Sequence, residues 1–267
     1  MKYEEFDPPA TLADYVKVIW LMESESDSEP YRRSQILPGG VVELIFHFAD
    51  PMFTYEDDVK ILQKRGFAVS TMKKYIELES NGKTGFIAVR FHPWGAHHFF
   101  NTPIQCFLDG MFDSKKLWNG EDQLLLDAMQ KAENNEKRLK LVGEFLLDRL
   151  SEHKKEDRQI DEAVKLIRDN NGLLPIEEVC DQVGIHKKQL ERKFVEVTGT
   201  TPKVFSRTSR FLYLCNHIDN YKDKSLAELG NACGYYDQAH FIKEFKEFSG
   251  LTPTEYFSKE NVYFEGL

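Results

Sequence analysis

The sequence predicts an α+β protein of two domains, with a β-rich N-terminal domain and an all-α C-terminal domain. Its 267 residues are enough for two domains that each bury a core. Short apolar runs of strand length fill the first hundred residues, whereas apolar residues recur three and four positions apart from Glu121 onward. The last third of the chain also contains an internal repeat of helical segments. Together these observations predict a change from strands to helices near residue 120.

Five N-terminal segments have the composition of β-strands. Each is rich in β-branched or aromatic residues, and turn-forming pairs such as Pro38-Gly39 and Asn81-Gly82 bound them. The segments are residues 16–22, 41–48, 66–70, 74–80 and 85–92. Short strands joined by tight turns favour an antiparallel β sandwich or barrel.

A helical hairpin is predicted next, over residues 121–150. Its apolar residues have helical spacing, and the pattern is interrupted at Asn134 and Asn135. The charged run at 151–159 has no apolar periodicity, which indicates a domain linker or, alternatively, a solvated helix end. The expected division is a β-rich domain at 1–120, a hairpin and linker at 121–156 that is a candidate for dimerisation, a helical domain at 157–258, and a flexible tail at 259–267.

The composition is that of a soluble globular protein, with 41% hydrophobic and 30% charged residues. The sequence contains neither an apolar run long enough to span a membrane nor an N-terminal export signal, so we expect a cytoplasmic protein with no membrane partner. The four cysteines lack the spacing of a zinc knuckle, so we expect free thiols. Three of them fall in apolar segments predicted to be helical, where we expect them to be buried.

The net charge of −9 is unfavourable for binding nucleic acid, because phosphate neutralisation requires Lys and Arg. The charge is unevenly distributed. Residues 157–257 hold 14 basic and 16 acidic side chains, or −2; residues 1–156 hold 20 and 26, or −6; the last ten residues contribute −1. A role in binding nucleic acid must therefore depend on where the charges point.

The C-terminal third contains two copies of one helical unit. Each copy predicts a short helix, a glycine turn and a second helix, over 176–183 and 187–194 and again over 225–233 and 238–245. A small residue four positions before the turn glycine, Cys180 or Gly230, lets the two helices cross closely, which is the packing of a helix-turn-helix unit. The positions that recur are Cys180, Gly184, Leu190, Phe194, Gly199 and Pro202, matched by Gly230, Gly234, Phe241, Phe245, Gly250 and Pro253.

The second helix of each unit has an apolar stripe and an opposite polar face. Arg and Lys can reach guanine edges, Gln can reach adenine, and Ala can contact the thymine methyl group. For a single helix, such a polar face would indicate DNA binding and ordinary exposure to solvent equally well. Two copies of the unit favour DNA binding. The expected base-reading residues are Lys187, Lys188, Gln189 and Arg192 in the first copy, and Gln238, Ala239, His240 and Lys243 in the second.

One helix over residues 203–221 is predicted to connect the two units, with Phe205 and Phe211 among its core-facing residues. We call the second helices of the two units, predicted at 187–194 and 238–245, the reading helices. A rigid connection would hold them about one DNA turn, ~34 Å, apart. Arg207 and Arg210 on this helix are candidates either for phosphate contacts or for holding the two units together.

Residues 160–257 resemble the DNA-binding domain of the AraC/XylS family of transcription regulators. LERKF followed by GTTP, then Arg210, and then GYYDQAHFIKEFKEFSGLTPTEYF at 234–257 carry the resemblance. It implies that the residues at 187–192 and 238–243 contact bases, that helix ends near Thr201 and Thr252 contact phosphate, and that RNA polymerase is a partner.

The sequence departs from this family pattern at two helix positions. His186 replaces the usual Ser that caps the first reading helix, and Gly230 replaces the usual Ala of the second unit. Both changes weaken helices that must be ordered to bind. Acidic residues are also expected to dilute the positive face: Glu178, Glu191, Glu244 and Glu247.

The N-terminal pattern QILPGGVVELIFHF, followed by FIAVRFHPWGAHHFF, is similar to uncharacterised β-rich sensor domains that are joined to such DNA-binding domains. The resemblance implies a cupin-like outline and an unidentified small-molecule effector. The candidate effector contacts are Trp20, Glu43, His47, Arg90, His92 and Trp94.

A metal-dependent cupin enzyme is one alternative for the N-terminal domain, because its His and Glu residues are metal-ligating types. The cupin pair of histidines two positions apart is missing, and the adjacent His97 and His98 are expected to point in different directions. We therefore expect no enzymatic activity, no cofactor and no metal. The predicted function is an effector-responsive regulator of transcription that binds double-stranded DNA, with a homodimer as the candidate assembly. An interaction module with a weakened DNA-binding domain is the other alternative.

Overall fold

The structure is a computed structural model that describes residues 2–24, 34–36, 39–56, 59–70, 75–107, 110–153, 158–217 and 225–258. Its N-terminal domain contains two antiparallel sheets, and its C-terminal domain is helical, as the sequence predicts. The larger sheet orders its strands as β1 (Lys2–Phe6), β2 (Val16–Glu23), β9 (Gly85–Phe91), β4 (Glu43–His47), β7 (Gly66–Val69) and β10 (Met111–Asp113). The smaller sheet has the order β3 (Ser34–Ile36), β8 (Ile76–Glu79), β5 (Phe53–Glu56) and β6 (Val59–Leu62).

All five strand segments predicted from the sequence are strands, as β2, β4, β7, β8 and β9. The other five strands of the described residues lack the expected pattern. The edge strands β1 and β6 read KYEEF and VKIL and are mostly exposed, so neither has an alternation of buried and polar residues. Strands β3 and β10 contain only three residues each, which is too short to show any period.

The larger sheet buries both of its faces, because alternate residues point in opposite directions. On one face Phe46 packs with Leu126 and Leu146 of the helical hairpin. On the other face Trp20 lies in a cluster with Met52 and points towards the smaller sheet. The hairpin consists of α2 (Asp122–Lys131) and α3 (Asn135–His153), which follow the short helix α1 (Ser114–Leu117). It therefore shares the N-terminal core, and its use for dimerisation stays a prediction.

The C-terminal domain begins directly with a helix. For the charged run at 151–159, the sequence left a domain linker and a solvated helix end open. Residues 151–153 belong to α3 and residues 158 and 159 begin α4, so both ends of the run are helix ends. Residues 154–157 lie outside the described part of the chain. The helices are α4 (Arg158–Asp169), α5 (Ile176–Val183), α6 (Lys187–Thr198), α7 (Pro202–Asn216), α8 (Leu226–Ala232), α9 (Gln238–Ser249) and α10 (Pro253–Phe257).

Helix α7 connects two separate helical cores. Phe205 near its start packs with Phe194 of the first unit, and Phe211, which lies further along the helix, packs with Phe245 of the second. The helix ends at Asn216, earlier than the predicted residue 221, and the rest of the predicted helix from 218 lies outside the described residues. As expected, Cys180, Cys215 and Cys233 are buried thiols, while Cys106 is exposed.

The two domains touch each other at several points. Trp94 of the N-terminal domain packs in the core of the first helical unit, beside α4. A Cβ atom added to Gly199, after α6, would lie 3.1 Å from Ile104, and one added to Gly250, after α9, would lie 2.2 Å from the Tyr75 ring. None of the described helices is both long and apolar enough to cross a membrane.

Candidate nucleic-acid interface

Each helical unit has the turn that a helix-turn-helix motif requires. Gly184 and Gly234 adopt left-handed backbone conformations, with φ of 66° and 73°, between the two helices of their units. In the second unit the helices cross so closely that a Cβ atom on Gly230 would lie 3.2 Å from Cβ of Phe241. The small residue at this position therefore serves the close packing that the repeat predicts.

The predicted base-reading residues are all exposed on the second helices. In α6, Leu190 and Phe194 are fully buried, and the opposite face carries Lys187, Lys188, Gln189 and Arg192. In α9, Phe241, Phe245 and Phe248 are buried, and the opposite face carries Gln238, Ala239, His240 and Lys243. The structure thus gathers each predicted set on one accessible helix face.

The N-terminal domain contacts α6 without covering its polar face. Two 3-10 helices of that domain, Ala96–His98 and Ile104–Phe107, lie against α6. Ile104 of the N-terminal domain lies close to Gly199, which directly follows the C-terminal end of the helix. The first two turns of α6 stay open to a duplex.

The helix caps differ between the two units. His186 has the extended backbone of an N-cap but makes no side-chain cap hydrogen bond to α6, as its residue type predicts. In the second unit Asp237 caps α9, because its Oδ1 accepts a 2.7 Å hydrogen bond from the backbone N–H of His240. Asp237 was not among the predicted site residues, although an Asp directly before an amphipathic run is a cap signal.

Thr201 and Thr252 are both N-caps. Thr201 Oγ1 accepts from the backbone N–H of Val204 at the start of α7, and Thr252 forms a reciprocal capping box with Glu255 at the start of α10. Their hydroxyl groups therefore order the two helix starts. The predicted phosphate contacts at these helix ends stay a prediction.

Arg207 and Arg210 face α9, which favours the second of the two roles predicted for them. Arg207 Nε donates a 2.6 Å hydrogen bond to Glu244, and its Nη2 donates a 2.7 Å bond to Glu247. Arg210 Nη2 lies 3.7 Å from the same Glu244 carboxylate. These ion pairs join the connecting helix to the second reading helix.

The expectation that Glu244 dilutes the exposed positive face is wrong. Its side chain is only 3% exposed and is turned towards α7. The apolar spacing of α9 explains the burial, since Glu244 lies three residues after Phe241 and four before Phe248, on the same side of the helix. Glu247 is half exposed, and Glu178 and Glu191 are exposed.

Lys187 already has an acidic partner within its own unit. Its Nζ donates a 2.7 Å hydrogen bond to Glu177 of α5, and this bond raises the pKa of Lys187 and lowers that of Glu177. Both side chains are exposed, so a phosphate group can compete for the ammonium group. Tyr236, which was not among the predicted site residues, is 92% exposed in the turn before α9 of the second unit.

Three of the predicted effector contacts meet on one face of the larger sheet. Glu43 Oε1 accepts a 2.6 Å hydrogen bond from Arg90 Nε and a 3.2 Å bond from Trp20 Nε1. The three residues lie side by side on β4, β9 and β2, with Arg90 only 7% exposed. We call this group the Arg90 cluster.

His47 shares that sheet face but lies at the far end of β4. Its Nε2 pairs with Gln63 Oε1 at 3.0 Å, and the ring packs against Phe67 and Phe86. Burial lowers the pKa of His47 to about 4, so the imidazole is neutral near pH 7.

His92 and Trp94 are not part of the face that holds the other predicted effector contacts. They follow the end of β9, where the chain leaves the sheet and strand alternation no longer sets side-chain directions. The two rings stack with centroids 4.6 Å apart, and Trp94 lies under Lys165 and Arg168 of α4. Burial and the nearby Arg168 lower the pKa of His92.

The expectation that His97 and His98 point in different directions is wrong. Their ring centroids are 3.9 Å apart. The backbone at Ala96–His98 is a 3-10 helix, which places consecutive side chains about 120° apart, so the side-chain torsions rather than the backbone bring the two rings together. His98 Nε2 also lies 3.8 Å from Oδ2 of Asp161 in α4. In the described residues, these three side chains are the one group of His, Cys, Asp and Glu whose ligand atoms converge as in a metal site.

Comparison with known families gives one match in the N-terminal part of the chain and another in the C-terminal part. Residues 4–113 match a family described as a domain of unknown function, DUF6597, and residues 179–259 match a family described as a helix-turn-helix domain. The second match begins within α5 and includes both reading helices. The C-terminal domain is a helix-turn-helix domain of the AraC/XylS type.

Two bacterial regulatory proteins are similar to this AraC/XylS-type domain, and one solved structure aligns with the whole chain. The MmsAB operon regulatory protein of Pseudomonas aeruginosa is 29% identical over 83 residues, which are 31% of this chain and 27% of that protein. A transcriptional regulator of Chromobacterium violaceum with an AraC-type DNA-binding domain is 28% identical over 37% of this chain and 88% of that chain, with a TM-score of 0.34. ToxT of Vibrio cholerae aligns over 96% of this chain and 98% of its own, with 11% identity and a TM-score of 0.46. The chain thus spans about a quarter of the length of the first of these relatives.

Proposed function

We propose that the protein regulates transcription by binding two consecutive major grooves of DNA with α6 and α9, under the control of its N-terminal domain. The observation that carries the proposal is the pair of exposed reading faces on two helix-turn-helix units that one helix joins. Helix α7 has 15 residues, so it is about 22 Å long at 1.5 Å per residue. The Arg207 ion pairs stiffen its connection to α9.

The affinity for DNA depends on a few well-placed side chains. The AraC/XylS-type domain has 14 basic and 16 acidic residues over 157–257, so the protein does not attract DNA through its overall charge. Arg192 and Lys243 are exposed near the middle of their reading faces. Their contacts with base edges would provide sequence recognition that the net charge does not.

Substituting these two residues tests the proposal. We expect Arg192→Ala and Lys243→Ala each to weaken binding at a selected operator by roughly 1 to 3 kcal/mol while the fold is unchanged. Lys140→Ala is the matched control, because Lys140 is a 75% exposed lysine on α3, away from both reading helices. Fluorescence anisotropy with an operator obtained by selection from random DNA gives the affinities.

Two results of this experiment would contradict the proposal. In one, the control weakens binding as much as the two reading-face variants do. In the other, affinity for the selected DNA does not fall as salt rises, which is incompatible with recognition that includes phosphate contacts.

For the N-terminal domain we propose an effector site at the Arg90 cluster. A buried guanidinium group beside an indole ring suits a small molecule that has both an acidic group and an apolar part. The contacts of this domain with α6 and α7 provide a route by which the effector could change the position of the reading helices. A homodimer and contact with RNA polymerase belong to the same proposal.

Thermal-shift screening of small carboxylic acids tests the effector site. A ligand that stabilises the protein should lose its effect in Arg90→Gln and should change the affinity of the full chain for its operator. A ligand that stabilises both proteins equally, or that leaves DNA affinity unchanged, would contradict this part of the proposal.

A further inference from the structure

The contact between the two domains contains a compact cluster of metal-ligating side chains. His97 and His98 come from the N-terminal domain, and Asp161 comes from the first turn of α4 in the C-terminal domain. One ligand atom from each residue lies within 4.8 Å of the other two. Both histidines are buried, with His97 4% and His98 2% exposed, and the Asp161 side chain is 20% exposed.

We propose that His97, His98 and Asp161 form a binding site for a divalent transition-metal ion, with Zn²⁺ as the best match, that links the two domains. Two imidazole groups and one carboxylate are a common ligand set for Zn²⁺ and for Fe²⁺. Metal–ligand distances near 2.0 to 2.2 Å put the ligand atoms of a tetrahedral site roughly 3.4 Å apart. The separation of 3.8 Å between His98 Nε2 and Asp161 Oδ2 approaches this value, so small side-chain rotations would complete the geometry.

The surroundings support ligation at Asp161. Its Oδ1 atom is buried and accepts no hydrogen bond, although a buried carboxylate oxygen normally has a donor or a cation beside it. The neighbouring cations on α4, Lys165 and Arg168, are turned to the Trp94 ring at 4.7 and 4.6 Å. A metal ion would provide the positive partner of the carboxylate.

The backbone that presents the two histidines is fixed in position. A Cβ atom on Gly95 would lie 2.0 Å from the carbonyl oxygen of Tyr15, so only glycine fits this close approach. The Tyr15 ring packs edge-on against the His98 ring, with centroids 4.7 Å apart. Preorganised ligands of this kind reduce the entropy lost when a metal binds.

A metal ion at this site would connect the two domains. Helix α4 packs on α5, α6 and α7, so a metal held by the 3-10 helix and α4 would fasten the N-terminal domain to the first reading unit. This consequence concerns domain placement and does not depend on DNA being the partner.

Metal titration of the full chain tests the site. After treatment with a chelator and desalting, we expect the protein to bind one Zn²⁺ per chain and to gain thermal stability as the Zn²⁺ concentration rises. Co²⁺ should give the visible absorption of a four- or five-coordinate site without a sulfur charge-transfer band, since the ligand set contains no thiolate. Binding well below one equivalent, or a cobalt spectrum with a thiolate band, would overturn the assignment.

Variants identify the ligands. Asp161→Asn keeps the shape of the side chain and should weaken Zn²⁺ binding by at least about 100-fold, because even indirect supporting residues change metal affinity 10- to 100-fold. His97→Ala and His98→Ala should do the same. Asp169→Asn and His217→Ala are the controls, with an exposed carboxylate on the same helix and an exposed histidine directly after α7.

The test compares Zn²⁺ binding among these variants. Circular dichroism and the melting temperature, both measured without metal, show whether each variant is folded. Loss of binding in the cluster variants but not in the controls supports the site. One equivalent retained in a folded Asp161→Asn protein would overturn it, whatever the alanine variants do.

Discussion

At the scale of single residues, His47 makes the stability of the N-terminal domain depend on pH. Burial lowers its pKa in the folded protein to about 4, whereas the unfolded chain has the ordinary value of 6.5. Between these values the unfolded state binds more protons, so the free energy of unfolding falls as the pH falls from 6.5 to 4. From pH 7 to pH 5 we expect this histidine to contribute a loss of about 2 kcal/mol.

Urea unfolding at pH 7 and pH 5 measures this loss. The His47→Gln variant removes the titrating group and should lose less stability between the two pH values than the parent protein. His217→Gln is the control, because His217 is exposed. An equal pH dependence in the parent and His47→Gln proteins would show that His47 is not the buried neutral group described here.

Glu244 is the second residue with a specific energetic role. Its buried carboxylate is held by Arg207 and lies near Arg210, so Glu244→Gln leaves two guanidinium groups without their shared partner. Removing one member of a buried ion pair is strongly destabilising, but Arg207 is about a quarter exposed and water offsets part of the loss. We expect a loss of about 2 kcal/mol in chemical unfolding.

Glu247→Gln is the matched control for this change. Glu247 also pairs with Arg207 but is half exposed, so its substitution should cost less than about 1 kcal/mol. If the two substitutions have equal effects, the network does not depend on the buried carboxylate.

Sequence reasoning predicted the exposed residues of the reading helices better than the polar residues between elements. Exposure follows from the apolar stripe, which gives the exposed side chains of the predicted base-reading sets in α6 and α9 but fails at the buried Glu244. The contact between Asp161 and His98, by contrast, joins two residues that are distant in sequence, and it depends on how their two domains pack together. Local periodicity contains no information on such a contact.

At the scale of elements, the first reading helix has a weak start. His186 provides no side-chain cap hydrogen bond, whereas Ser225, Asp237 and Thr252 cap their helices. We expect His186→Ser to raise the free energy of unfolding by about 0.5 to 1 kcal/mol, because the serine hydroxyl can accept a hydrogen bond from the first turn.

Chemical unfolding of the full chain measures the effect of the cap. His186→Ala is the matched control, since alanine removes the ring without adding an acceptor. Equal stabilities of the Ser and Ala variants would mean that the start of α6 does not lack a cap.

The elements of the C-terminal domain were largely predictable, because glycine turns and helical spacing define α5, α6, α8 and α9. Helix α4 was predicted only as part of a domain, since the charged run before it obscures its start. In the N-terminal domain, β5 and β6 have four residues each and are partly charged, so their pairing rather than their composition makes them strands.

At the scale of the whole molecule, the domains contact each other while both reading faces stay exposed. The N-terminal domain touches α6 at its C-terminal end and approaches α7 at Gly40 and the turn at Gly250. These contacts could not be read from the sequence, because they join surfaces that have no repeat or motif. They are the basis for proposing that the N-terminal domain controls DNA binding.

In the proposed complex, α6 and α9 bind one face of DNA as a single rigid pair, so the distance between their two segments of the operator is fixed. Inserting five base pairs, about half a helical turn, between the two contacted segments turns them to opposite faces of the duplex. We expect this insertion to lower the affinity at least about 30-fold, since one half-site no longer matches. Unchanged affinity for the lengthened operator would contradict the paired reading of two grooves.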